Sequence, residues 1–106
     1  MINIRFIHGK EGRISQGMMN ALKVEPGDYI GLDWDLKREV LTVYPTLPTD
    51  SLGVEIVYRA GSKSNLISSS VFYRVFPGAR ESREPLLIEF EFDEDGNLVY
   101  YANQEE

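Results

Sequence analysis

The sequence predicts a β-rich α+β domain assembled from two similar halves. Its hydrophobic residues fall in short alternating runs, as at positions 29–34, 39–44 and 86–92, the pattern of half-buried strands. Two short stretches read as helices, each opened by a serine (Ser15, Ser68) and closed by Pro-Gly (Pro26-Gly27, Pro77-Gly78). The order strand, polar loop, Ser-capped helix, Pro-Gly and hairpin occurs twice along the chain.

Taken in order, Ile2, Ile4 and Phe6 share one face of a first strand, and Asn3 and Arg5 the other. Gly9 and Gly12 break it around His8 and Lys10, and Arg13-Ile14 resumes briefly. Ser15 is placed to accept an orphan N–H at the start of a helix, in which Met18, Leu22 and Met19 share a face. Gly17 weakens that helix by up to about 1 kcal/mol relative to Ala. Pro26-Gly27 is expected to stop it. Residues 29–34 and 39–44 then form a hairpin, with Ile30, Leu32 and Trp34 pointing one way. The stretch 45–53 holds two prolines, Pro45 and Pro48, and no periodicity, so 46–53 reads as a stiffened linker between the halves.

The second half follows with a strand at 54–58 and a polar loop at 61–65. A helix capped by Ser68 carries Val71, Phe72, Val75 and Phe76. The hairpin of residues 86–92 and 98–101 turns at Asp93-Glu94-Asp95-Gly96-Asn97. Ser15 aligns with Ser68, Met18 with Val71 and Leu22 with Val75 at an offset of 53 residues. The halves are therefore set at 1–45 and 54–102 within one domain of 106 residues. Each alone is too short to bury a self-sufficient core, whereas together they can build one.

A hydrophobic content of 42% and a charged content of 26% suit a globular domain. No apolar run approaches the roughly 20 residues of a membrane helix, and the first strand lacks the layout of a signal peptide. The absence of cysteine removes disulfides, thiolate metal sites and a Cys nucleophile, and a cytoplasmic setting is expected. The net charge of −6 conceals an alternation: residues 1–24 carry +3, 25–55 carry −5, 56–76 carry +3 and 77–106 carry −7. Such asymmetry puts a basic face on an acidic protein, although short windows also alternate by coincidence.

At residues 14–28 the chain resembles the swapped-hairpin family of AbrB, SpoVT and MazE-type regulators. Ile14, Met18, Leu22, Val24, Gly27 and Asp28 fall into that family's register without a gap, and residues 29–44 supply its hairpin. The resemblance implies interleaved hairpins in a barrel-like core. Here it would be a swapped-hairpin barrel built as a single-chain pseudo-dimer with two short helices, monomeric or a homodimer. Ser15 stands where the family usually has Pro, Lys23 where it usually has Gly, and Met19 and Asn20 where its DNA-binding members often carry basic residues.

The resemblance implies duplex DNA as partner, contacted by basic side chains of the first strand, the following loop and the helix start. Arg5, Lys10 and Arg13, with Arg59 and Lys63 of the second half, are the candidates. Phosphate neutralisation supplies affinity, and a guanidinium can pair bidentately with guanine. The plain alternative for all five is solvated surface charge. A second reading is an acidic protein-interaction module, antitoxin-like or an inhibitor with a toxin as partner, that keeps the fold without DNA binding.

No enzyme, cofactor or metal is expected. His8 is the single histidine and has no ligand set around it. Ser15 and Ser68 have no base spaced to activate them, and capping accounts for both. The acidic run at 93–97 is followed by Leu98 where a calcium loop demands glycine, and the distal Glu is missing. Asp33 and Asp35 read as a solvated strand edge. The aromatic residues Trp34, Phe72, Phe76, Phe90, Phe92, Tyr100 and Tyr101 read first as core, and otherwise as a partner groove.

Overall fold

The computed structural model describes residues 1–6, 11–61, 64–68 and 86–102. Among these are one helix and ten strands: β1 (Asn3–Phe6), β2 (Gly12–Ile14), α1 (Gln16–Leu22), β3 (Tyr29–Asp35), β4 (Val40–Thr46), β5 (Gly53–Glu55), β6 (Val57–Arg59), β7 (Ser64–Ile67), β8 (Leu86–Glu89), β9 (Glu91–Phe92) and β10 (Leu98–Tyr101). They form two five-stranded antiparallel sheets, ordered β6-β7-β2-β1-β8 and β5-β3-β4-β10-β9. The β-rich α+β class is as expected. The described strands lie in two separate sheets and do not close into a barrel. The second predicted helix, its Pro77-Gly78 stop and the apolar residues 71–76 lie outside the described residues.

The pairing runs between the halves as well as within them. β1 and β2 form one hairpin and β6 and β7 another, and β2 joins them to β7 with Arg13 opposite Leu66. That pair keeps the 53-residue offset of Ser15 and Ser68. In the other sheet β4 joins β10, with Val43 opposite Leu98. β1 of the first half takes β8 of the second as its outer neighbour, and β3 of the first half takes β5 of the second.

The sheets are continuous through two buried residues. The chain leaves one sheet at β5 and enters the other at β6 across Ile56, which is fully buried. It returns from β8 to β9 across Phe90, also buried. Ile56 donates its N–H to the Asp28 carbonyl (2.9 Å) and accepts from the Gly27 N–H (2.7 Å), while Phe90 donates to the Ile2 carbonyl (2.8 Å). Alternation continues through both residues, so each 54–58-type run reads in sequence as a single strand although it serves two sheets.

Between the sheets lie Ile4, Ile14, Ile30, Leu32, Val43, Ile56, Ile67, Ile88 and Leu98, joined by Met18, Met19 and Leu22 from α1. The Ser15 hydroxyl accepts from the Met18 N–H (3.1 Å) as the expected N-cap. It also accepts from the Asn3 N–H (3.0 Å) and donates to the Met1 carbonyl (2.6 Å), tying the N-terminus to the helix. Gly17 is needed for this approach, since a Cβ there would overlap the Met1 carbonyl.

Two expectations require correction. The helix stops at Leu22, before Pro26-Gly27: Lys23 adopts a left-handed conformation (φ 58°), and the Val24 N–H returns to the Met19 carbonyl at 3.1 Å. Pro26 and Gly27 (φ 97°) instead occupy the centre of a tight turn, in which the Asp28 N–H reaches the Glu25 carbonyl and the Asp28 carboxylate accepts from the Glu25 N–H. The supposed polar loop at 61–65 already belongs to strand β7 from Ser64 on, because Ser64 and Asn65 are paired with Arg59 and Tyr58. The linker is bounded by Thr46 at the end of β4 and by Gly53 at the start of β5.

Lys23 pays the left-handed strain of about 1–2 kcal/mol with no Cβ-free alternative, and its side chain is exposed. Lys23→Gly is expected to raise stability by up to about 1 kcal/mol, net of glycine's greater unfolded-state entropy, read as a higher denaturant midpoint at unchanged slope. Gly31 lies directly opposite Tyr44, whose ring covers it so closely that a Cβ would overlap the ring carbons. Gly31→Ala is therefore expected to destabilise by about 1–3 kcal/mol, the range for overpacking, in the same measurement.

Candidate nucleic-acid interface

Strand parity decides where the candidate side chains stand. In β1, Ile4 and Phe6 are buried and Arg5 is exposed; in β2, Gly12 and Ile14 are buried and Arg13 is exposed. Arg5 and Arg13 are directly opposite each other, so both project from the outer face of the β6-β7-β2-β1-β8 sheet. Arg59 pairs with Ser64, and Val57 with Leu66, which is itself opposite Arg13. By the same alternation Arg59 shares that outer face. Three of the five candidates are thus brought together; Lys10 and Lys63 lie outside the described residues, as does His8.

The face also carries features that the sequence did not reveal. Glu11 holds Arg59 in an ion pair of 2.7 Å, with both side chains substantially exposed. Glu89 stands opposite Asn3 at the margin, and Leu87 stands opposite Arg5, exposed. A surface pair of this kind contributes roughly 0–1 kcal/mol. Placing Arg5 against Arg13 costs stability, since like charges directly opposite in a ladder repel.

The outer face of the other sheet has the opposite sign. Tyr29, Gly31, Asp33 and Asp35 share one parity of β3; Glu55 stands opposite Tyr29, and Glu91 follows from Asp33 through Thr42 and Val99. Asp33, Asp35, Glu55 and Glu91 are all exposed. The Asp35 carboxylate also accepts from the Lys37 and Arg38 N–H groups, closing the hairpin turn. The alternation of charge along the chain therefore becomes a separation of charge between two faces.

One cluster on this acidic side has the composition of a chemical site. Asp50 accepts from the Thr46 hydroxyl (2.7 Å), the Leu52 N–H (2.8 Å) and the Tyr44 hydroxyl (3.2 Å). The Thr46 bond, then the Leu52 N–H, hold its carboxyl below the ordinary value against a smaller desolvation effect, with Tyr44 adding to the lowering. Burial pushes the Tyr44 phenol up, reinforced by its bond to Asp50 and by the charges of Asp50 and Asp33. A strengthened acid beside a weakened phenol is a clasp on the 46–53 segment; neither group is poised to exchange protons near neutrality. Among the described residues no group of three His, Cys, Asp or Glu side chains could hold a metal ion, and no helix is long and apolar enough to cross a membrane.

Because the carboxyl of Asp50 is held below its unfolded value, its contribution is present above the ordinary carboxyl range and is lost as the pH falls through the folded-state value. Asp50→Asn is expected to lower stability at pH 7 and to narrow its deficit against the parent chain below about pH 3, under the ordinary Asp value, measured by urea denaturation across pH.

Comparison with family models, with curated proteins and with solved structures finds no match to this chain.

Proposed function

We propose that this protein is a small DNA-binding regulator of the AbrB-like type, contacting duplex DNA with the outer face of the β6-β7-β2-β1-β8 sheet, in the cytoplasm and without catalysis. The observation that carries the proposal is the like-charge pair Arg5–Arg13, flanked by Arg59 on the same face. Stability does not favour that pairing, whereas a row of phosphates does. The acidic groups Asp33, Asp35, Glu55 and Glu91 stand on the other sheet, so the charge separation orients the molecule on a polyanion.

Three features support the single-chain pseudo-dimer within this reading. β1 is completed by β8 and β3 by β5, an exchange between halves like that of swapped hairpins. Lys23, where the family usually has Gly, adopts the left-handed conformation that glycine favours. Gly27 and Asp28 close the turn through a positive φ and a carboxylate bond. The second reading, a protein-interaction module with a partner such as a toxin, is favoured by two observations: Glu11 partly neutralises Arg59, and Glu89 stands on the same face.

Retention on random-sequence duplex DNA at low salt is the first test, and its failure would overturn DNA binding. If the reading holds, Arg5→Ala and Arg13→Ala each reduce the slope of log affinity against log salt by about 1 and weaken binding alike for all sequences. Asp33→Ala, on the opposite sheet, leaves the slope unchanged.

A further inference from the structure

We infer that the connection from β4 to β5 is a latched hinge, through which two copies of this chain exchange halves and form a domain-swapped dimer once the Asp50 clasp is opened. The halves meet through four strand pairings, β1–β8, β2–β7, β3–β5 and β4–β10. Backbone bonds between Ile56 and the 27–28 turn, and from Phe90 to Ile2, add to them. All of these are non-covalent, and residues 47–52 are the covalent link between Thr46 and Gly53. A second copy offers the same partners in the same places, so exchange keeps every such contact and alters only the link.

The link follows a constrained path. β3 lies between β4 and β5 and is antiparallel to both. Thr46 leaves β4 opposite Tyr29, whereas Gly53 enters β5 opposite Gly31. The chain therefore crosses β3 and steps back along it. Two strand spacings are about 10 Å and two residues about 7 Å, a displacement of roughly 12 Å. Asp50 fixes this return. Its carboxylate accepts from the Thr46 hydroxyl (2.7 Å) before it and the Leu52 N–H (2.8 Å) after it. Its N–H reaches the Leu47 carbonyl and its carbonyl accepts from the Gly53 N–H, both at 3.0 Å. Its third carboxylate partner is Tyr44, whose ring lies over Gly31 while its hydroxyl meets Asp50 (3.2 Å). β3 thus passes beneath a clasp made by β4 and the link.

The clasp favours closure within one chain and adds nothing to the pairings that hold the halves. Closure has a second advantage, because a short link gives an effective concentration on the order of millimolar. Removing Asp50 takes away the first advantage, and shortening the link takes away the second. With residues 48–51 deleted, the three remaining Cα steps from Thr46 to Gly53 reach at most about 11 Å. That is short of the displacement even before the chain rises over β3. Only a second copy can then complete the sheets. The inference is independent of DNA binding, since Arg5, Arg13 and Arg59 stand on the other sheet.

Sedimentation equilibrium of the full chain, from about 1 μM to about 1 mM so as to reach the effective concentration of a short link, reads the exchange. The parent is expected to be monomeric at micromolar concentrations. Asp50→Ala should dimerise with a dissociation constant at least tenfold below the parent's, and the chain lacking residues 48–51 should be a dimer throughout. Complementation distinguishes exchange from surface association. Ile4 and Ile88 are paired and fully buried, so the shortened chain carrying either Ile4→Asp or Ile88→Asp should fail to fold alone. Refolded together, the two should recover up to half of the cooperative unfolding signal, since one exchanged body then holds neither substitution. An Asp50→Ala chain that stays monomeric to about 1 mM would overturn the inference, and this arm stands even if the shortened chain does not fold. Where it does fold, a monomer, or a mixture that recovers no more than its separate parts, would overturn it too. So would a parent dimer whose dissociation constant Asp50→Ala leaves unchanged.

Discussion

Everything in this fold depends on the two places where the chain passes from one sheet to the other, at Ile56 and Phe90. Each is buried and each anchors its backbone on the opposite half, Ile56 on the Gly27-Asp28 turn and Phe90 on Ile2. Neither half can complete its own sheets: β1 is bordered by β8 and β3 by β5. A unit of some fifty residues buries too little surface to offset its ordering entropy. Exchange of outer strands makes the two ordering costs fall together, so among the described strands neither set is complete without the other.

What the sequence made legible was local. The alternation of Ile4 and Phe6 with Arg5, the Ser15 cap and the 29–44 hairpin follow from rules that operate within a few residues. What it hid was carried by distant contacts. Gly17 read as a weakness in a helix, yet it makes room for the Met1 carbonyl. Pro26-Gly27 read as a helix stop, because the left-handed residue that ends α1 is a lysine and gives no composition signal. Ser64 and Asn65 read as loop because they are polar, but pairing with β6 and β2 makes them strand. The crossings at Ile56 and Phe90 leave the period of two intact, so no pattern could show that one run serves two sheets.

The candidate interface was half legible for the same reason. Strand parity was enough to turn Arg5 and Arg13 outward, but not to place Arg59 on the same sheet, which requires the β2–β7 pairing. Nor was the Glu11–Arg59 contact visible, spanning 48 residues. The alternation of charge along the chain has a spatial meaning only because the halves interleave. The first and third windows supply β1, β2, β6 and β7 to one sheet and the second supplies β3, β4 and β5 to the other, while the fourth is divided, giving β8 with Glu89 to the first and β9 and β10 to the second. A side-by-side packing of two independent halves would have mixed the signs on both faces.

Residues 1–45 and 54–102 differ in their pairing: β1 lies between β2 and β8, whereas among the described strands β6 is paired with β7 alone. Ile4 and Ile56 are both aliphatic and buried in the core, as are Val43 and Leu98, which face each other. Phe6 and Tyr58 differ because one is covered by β8 and the other meets a proline turn. Arg13 and Leu66 differ although they face each other across the central pair. Arg13 is exposed and Leu66 buried, while Phe6 is buried and Tyr58 half exposed, so in each pair one residue faces solvent and the other does not. Packing alone gives no reason for an arginine opposite another arginine. That departure is where a binding role has room to act, on the outer face of the β6-β7-β2-β1-β8 sheet.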